Sequence, residues 1–419
     1  MLDIDMKMKK ILTSLFYGLG LMTTVSIAYA DSNFNVSKNN FVEISDYSLE
    51  ALDEAKSIEI MTYTMPSVMG KETKATALVL FPHGEKPKDG WRVVVWTHGT
   101  VGVSDGCAPS LGMLNQGFKV AARGLLDAGY VVIAPDYEGL GMPGIHPYLN
   151  LESEATAVIY GVKTLQDKYE HDFNGEWMVA GQSQGGQAAL GTAEYANDDP
   201  SFKGAVAGAP ASSLDKIIEE VAPVALSRLE AQEDRASLDL EERNSIYSYA
   251  TLLSYGAFIG MSIRAENPEF QYLELFQKPA QNIAQHVAGT TGENGLCLGP
   301  LRELFKEDII QFLRKNPKAK LMSYPGLDLE SFEDNAVLQQ FFIDNQPGTK
   351  RLDKPVLVIQ GEMDTNVPAI VTEALVENLK KLGSENVDLI LVPDAGHRDA
   401  IIWRNDELLE FIQKYMPAK

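Results

Sequence analysis

Positive charge, cysteine and histidine are all scarce in this sequence, and each shortage removes a class of function. Lys and Arg total 36 against 58 Asp and Glu in 419 residues, a formal net charge of −22. So acidic a chain does not hold nucleic acid or an anionic membrane surface through bulk charge. The two cysteines, Cys107 and Cys297, stand too far apart for a zinc ribbon, and the six histidines include no H-E-x-x-H pair. No P-loop is present and no G-x-G-x-x-G opens a helix, so neither a metal nor another cofactor is expected. After the first thirty residues no apolar run reaches the roughly 18–20 residues needed to cross a bilayer. What remains is 45% hydrophobic and 22% charged, a globular composition long enough for a large core or two domains.

The N-terminus reads as a targeting segment. Lys7, Lys9 and Lys10 precede the run ILTSLFYGLGLMTTVSI, and Ala28-Tyr29-Ala30 supplies an A-x-A cleavage site. This predicts a signal peptide over residues 1–30 and a mature chain exported to the periplasm or the medium, with an uncleaved anchor as the alternative. In an oxidising compartment Cys107 and Cys297 are expected to form a disulfide, the alternative being two buried free thiols.

Residues 31–56 carry few signals. Strand patterns begin at IEIMTYTMPS and KATALVLFPH, a predicted antiparallel pair, and continue in WRVVVWTHGT and YVVIAPDYEGLG. Between and after these lie helical stretches, GFKVAARGLLDAG and SEATAVIYGVKTLQDKY, the second with a serine and a glutamate placed as a cap. Short apolar strands alternating with helices predict a mostly parallel sheet covered on both faces. After Ser213 the alternation gives way to helix, and it resumes at KPVLVIQGEMD and VDLILVPDAGH. The expected organisation is therefore an α/β core, first part 31–213, a helical insertion 214–350, and the second part of the core 351–419.

One stretch carries the chemistry. In EWMVAGQSQGGQAAL, Gly181-Gln182-Ser183-Gln184-Gly185 is a G-x-S-x-G between an apolar strand and a small-residue helix. That layout lifts a serine hydroxyl out of a sharp strand-to-helix turn. A serine needs a base. His397, in DAGHRDA after the last predicted strand, lies at the carboxyl end of the sheet on the serine's side. Asp364, in VLVIQGEMDTNVP, lies on the same rim and would hold the imidazole in the right tautomer; Glu362 and Asp394 are its rivals. The oxyanion donors expected are the backbone N–H of Gln184 and that of Thr100, in the loop THGTVGVSDG.

The order serine, aspartate, histidine is that of the α/β-hydrolases. With THGT, CAPS, APDYEGLG, GQSQGG, GEMDTNVP and AGH, the chain from about Val94 onward resembles the secretory lipase family of that fold. The resemblance implies an exported lipase or esterase with Ser183 as nucleophile, Asp364 as acid and His397 as base. It also implies oxyanion amides at Thr100 and Gln184, and a helical cap over the serine that binds the acyl chain. YGAFIGMSI and the leucines of ELFKEDIIQFL are candidates to line an acyl tunnel, the alternative being plain core. The partner expected is a small-molecule or lipid ester, with transient contact at a lipid interface and no obligate protein partner. Two other functions compete: a peptidase or acyltransferase using the same residues, and a catalytically silent binding protein.

Overall fold

The computed structural model describes residues 40–418; the expected signal peptide lies outside them. Nine strands form one sheet in the order β1-β2-β3-β5-β4-β6-β7-β8-β9. They span Phe41–Asp46 (β1), Ala55–Pro66 (β2), Glu72–Pro82 (β3), Trp91–Thr97 (β4), Val131–Pro135 (β5), Phe173–Gln182 (β6), Phe202–Gly208 (β7), Val356–Gly361 (β8) and Val387–Val392 (β9). β1, β2 and β3 pair antiparallel and β3 pairs antiparallel with β5; every pairing from β5 to β9 is parallel. β1 was not expected from sequence. FVEISD is half polar and pairs, among the described residues, only with β2, at the edge of the sheet.

The central strands read as unbroken apolar runs because both of their faces are covered. β4, β5 and β8 are buried along their whole length. On one face Val94, Val132 and Ile359 pack against Phe118 and Leu125 of α1 (Gln116–Asp127) and, near the chain's end, Phe411 and Ile412. The next residue of β5, Ile133, points the other way, toward Gly161 of α2 (Leu151–Lys168). The helix after β6, α3 (Gln184–Tyr195), presses closely on the sheet. A Cβ on Gly185 would collide with the Thr97 carbonyl, and one on Gly186 would crowd the Gly208 carbonyl.

The cap of α2 differs in detail from the expected one. Its N-cap is Asn150, whose side chain accepts from the Ser153 amide at 2.9 Å. Ser153 instead donates its hydroxyl to Glu138, and Glu154 accepts from the Leu149 amide. Both side chains turn inward, which a capping pattern read from sequence does not reveal.

Between β7 and β8 the chain is largely helical. Its longer helices are α4 (Ala222–Ala236), α5 (Asn244–Glu266), α6 (Leu298–Lys315) and α7 (Ala336–Asp344). They share a hydrophobic cluster of their own, with Leu226, Phe258, Phe305, Ile309 and Phe342 buried in it. Phe258, Ile259, Met261 and Ile263 of α5 and Ile309, Ile310 and Leu313 of α6 are all core residues of this cluster. Plain core, the alternative to an acyl tunnel, therefore describes most of these stretches: Tyr255, at the head of the first, lines the cavity, and Leu304 of the second is exposed. A helix that must pack against several neighbours spends its apolar side chains on them. α5 is apolar and long enough to cross a membrane, but it is mostly buried here. Cys107 and Cys297 are bonded, their Cα atoms 5.5 Å apart across 190 positions. Cys297 is the N-cap of α6, and the next amide, Leu298, donates to the Val101 carbonyl. The helical block is thus tied to the loop after β4 by a covalent bond and a hydrogen bond.

Candidate active site

Parallel strands present all their carboxyl ends along one rim, and the three residues singled out in the sequence meet there. Ser183 stands at the junction of β6 and α3 with φ 63° and ψ −120°. This conformation is costly for a residue with a side chain, and strain of this kind collects at functional sites. Here the surroundings fix it. The Ser183 amide donates to the Gly208 carbonyl at 2.8 Å, its carbonyl accepts from Gln187 and Ala211, and the Thr97 hydroxyl holds the Gly185 carbonyl at 2.7 Å.

Asp364 follows β8 by three residues and His397 follows β9 by five. His397 Nδ1 lies 2.7 Å from Asp364 Oδ2, and His397 Nε2 lies 2.8 Å from Ser183 Oγ. A carboxylate can only accept, so Nδ1 carries the proton and Nε2 is left to accept from the serine hydroxyl. Asp364 is buried and fully engaged: Oδ1 accepts from the Asn366 and Val367 amides, and Oδ2 also accepts from Gln360 Nε2 at 3.2 Å. The rivals are placed otherwise. Glu362 and Asp394 are both exposed, and the histidine loop is ordered by Asp399, which accepts from the Gly396 amide. A further tether comes from Gln182, whose Nε2 donates to the His397 carbonyl at 2.8 Å.

Ser183 and His397 open onto a cavity of about 510 Å³. Its apolar wall comes mostly from Trp96, Leu114, Phe118, Ala134 and Ile401 on the sheet side, with Tyr255 and Leu298 added from the helical block. Thr100 lines it too, with its hydroxyl 2.8 Å from that of Tyr148 rather than free. Both cysteines of the disulfide are part of the same wall. The amide of Gln184, first residue of α3, lies at the helix end where N–H groups lack intrahelical partners.

The side chain of Gln184 leads to a buried polar cluster that sequence reading missed. His146 Nδ1 faces the Glu138 carbonyl at 2.9 Å, so that nitrogen carries the proton. Its Nε2 then accepts from Gln184 Nε2 at 2.8 Å, and the second N–H of the same amide donates to Glu154 Oε1 at 2.7 Å. Burial drives the Glu154 carboxyl up to about 8 and the His146 imidazole down to about 3. Both are therefore mostly neutral near pH 7, and their 4.0 Å approach is not an ion pair. The cluster clamps the residue after the nucleophile from two sides. His98, at the exit of β4, is also buried and held below its ordinary pKa by desolvation. Its ring nitrogens face the Gly99 and Asp136 carbonyls, so it is not placed to serve the serine.

This geometry can activate a serine hydroxyl and hold the imidazolium that results. Among the described residues no cluster of side chains suits a metal. At the family level, residues 331–418, which contain Asp364 and His397, match the Prolyl oligopeptidase family. No curated protein matches the sequence. Among solved structures, a putative hydrolase from Legionella pneumophila is similar at TM-score 0.66 and 18% identity, over 90% of this chain and 98% of that one. The rice cell wall degrading esterase LipA from Xanthomonas oryzae, ligand-bound, gives 0.61 and 16%, over 90% and 98%. Candida antarctica lipase A in its closed state gives 0.63 and 15%, over 91% and 82%. These likenesses establish a shared architecture: the chain has the α/β-hydrolase fold.

Proposed function

We propose that this chain is an exported serine hydrolase that cleaves carboxylic esters through an acyl-enzyme. The observation that carries the reading is the continuous contact from Asp364 through His397 to Ser183, opening on a largely apolar cavity. His397 Nε2 takes the hydroxyl proton as Ser183 Oγ attacks the ester carbonyl, and Asp364 holds the imidazolium. The amides of Thr100 and Gln184 take the oxyanion charge. Collapse expels the alcohol, which leaves with the proton from His397. Water repeats the cycle on the acyl-enzyme and frees the acid. Residues 214–350 act as a cap over the serine, and the disulfide fits the oxidising compartment that export would supply.

A peptidase reading keeps one specific support, the match of residues 331–418 to the Prolyl oligopeptidase family. One experiment separates the two. A fluorophosphonate should label wild type but not Ser183→Ala. Wild type should hydrolyse p-nitrophenyl esters, in a series from acetate to palmitate, and leave peptidyl p-nitroanilides intact. Anilide cleavage exceeding ester cleavage would overturn the ester assignment. Labelling and turnover that survive in Ser183→Ala would overturn the nucleophile.

A further inference from the structure

The charge around Ser183 runs against the charge of the chain. The sequence holds 58 Asp and Glu against 36 Lys and Arg, yet among the described residues no Asp or Glu lines the cavity that contains Ser183 and His397. Two arginines, Arg302 and Arg398, do. Arg302 reaches in from α6. Its side chain is only 14% exposed, its guanidinium lies 4.3 Å over the Tyr247 ring, and Glu303 Oε1 stands 3.8 Å from Nε, within ion-pair range but beyond hydrogen-bond distance. Its Nε is buried without a hydrogen-bond partner, which costs free energy unless something else fills the role. Arg398 directly follows His397, is exposed, and makes no ion pair among the described residues. Both line the same cavity, as does Tyr255. Burial pushes the Tyr255 phenol up to about 12, and the fields of Arg398, Asp364 and Arg302 all reach it, the two arginines acting against the carboxylate.

This inference rests on the ester-hydrolase reading of the same site. His397 must hand its proton to the departing oxygen, so the alcohol part of the ester emerges on the histidine's side of the scissile bond. Arg398 is the next residue along. The apolar wall of Trp96, Phe118 and Ile401 is left for the acyl part. We propose that Arg302 and Arg398 are specificity-determining residues for a carboxylate on the alcohol portion, so that the preferred substrate is an acylated hydroxy acid. Ser183 keeps the acyl group, the hydroxy acid departs with the proton from His397, and water then releases the carboxylic acid. A guanidinium pairs with a carboxylate through two parallel hydrogen bonds, a geometry that a neutral alcohol cannot reproduce.

The probe pair is 4-(butyryloxy)benzoate and its neutral isostere 4-(butyryloxy)benzamide, read as the ratio of their kcat/KM values so that folding losses cancel. The ratio should fall roughly tenfold in Arg302→Gln and a few-fold in the exposed Arg398→Gln, with the losses combining in the double variant. Arg302→Lys should restore part of it. Raising the salt from about 0.05 M to about 0.5 M should lower the wild-type ratio and leave the double variant flat, since screening acts on charge. A ratio in the double variant within about twofold of wild type overturns the proposal, and so does a wild-type ratio that salt does not move. Arg398→Gln, at the exposed rim, keeps the test available if Arg302→Gln does not fold. Ser183-dependent hydrolysis of the neutral amide probe would leave the ester-hydrolase reading standing in either case.

Discussion

Replacing Asp364 by Asn probes the proposed triad at its most constrained point. The carboxylate accepts four N–H groups, two on each oxygen: Asn366 N at 2.8 Å and Val367 N at 2.9 Å on Oδ1, Gln360 Nε2 at 3.2 Å and His397 Nδ1 at 2.7 Å on Oδ2. An asparagine offers one oxygen and one NH2. The two backbone donors claim the oxygen, because turning the amide over would set its NH2 against both. The NH2 then faces His397 Nδ1, which must become an acceptor, and the imidazole proton moves to Nε2. There it meets Ser183 Oγ at 2.8 Å as a donor and cannot take the hydroxyl proton. The imidazolium formed during attack also loses its anion. The same substitution in a Ser-His-Asp protease lowers kcat by about 10⁴, which corresponds to about 5 kcal/mol of barrier. The new NH2 also opposes Gln360 Nε2, so a stability loss of roughly 1–3 kcal/mol is expected alongside. The assay is kcat on p-nitrophenyl butyrate at neutral pH, paired with thermal unfolding and with Glu362→Gln as control, since Glu362 is exposed. A folded Asp364→Asn variant within tenfold of wild type, or a larger loss in Glu362→Gln, refutes the reasoning.

Two further outcomes follow from the buried groups and the disulfide. Burial raises Glu154 to about 8, Glu138 to about 7 and Asp136 to about 6. A carboxyl raised on folding contributes stability that is whole below its unfolded value, near 4.5 for Glu, and is lost as pH rises through the folded value. Stability should therefore fall from about pH 5 to about pH 8, by up to about 1.4 kcal/mol per pH unit for each group until the pH passes that group's folded value, and the melting temperature should fall with it; Glu154→Gln should flatten that slope, and an unchanged slope in scanning calorimetry would contradict the assignment. Titration of the denatured, unreduced chain should find no free thiol, and reduction should cost up to roughly 5 kcal/mol for the 190-residue separation. Because both cysteines line the cavity, reduction should also shift kcat/KM across acyl chain lengths, whereas two titratable thiols per chain would show that the helical block is held by packing alone.

What the sequence reveals of this site depends on how many elements a role involves. Ser183, Asp364 and His397 each lie within five residues of the end of an apolar strand. Recognising the strand and one turn is enough to place each on the rim, and the parallel sheet then brings the three rims together. The clamp on Gln184 needs more. His146 and Glu154 come from the loop after β5 and from α2, 38 and 30 positions away. His146 sits in a loop of glycine, proline and apolar residues, and Glu154 in a polar helix start, where Ser153 and Glu154 pass for a cap on a solvated helix end. Only the close approach of α2 and α3 turns Glu154 inward, and that approach is set by small residues: Gly191 of α3 lies against Leu151 of α2. The cavity wall is less legible still. An apolar stripe on a helix looks the same whether it faces a neighbour or a substrate, and α5 and α6 devote theirs to each other. The wall is instead assembled from Trp96, Phe118 and Ile401, each on a different element. The two arginines belong to this group. Arg302 is one cation among the charges of α6, and it lies one turn beyond the point where the disulfide at Cys297 and the bond from Leu298 to Val101 hold the start of that helix against the loop after β4. That tether links the disulfide to selectivity. Reducing the bond should weaken discrimination between the charged and neutral butyrate probes, by loosening the N-terminal end of the helix that carries Arg302, while Arg398, carried by the histidine loop, keeps its place. If reduction leaves the ratio of the two probes unchanged, Arg302 is held by α6 packing and the tether has no part in specificity.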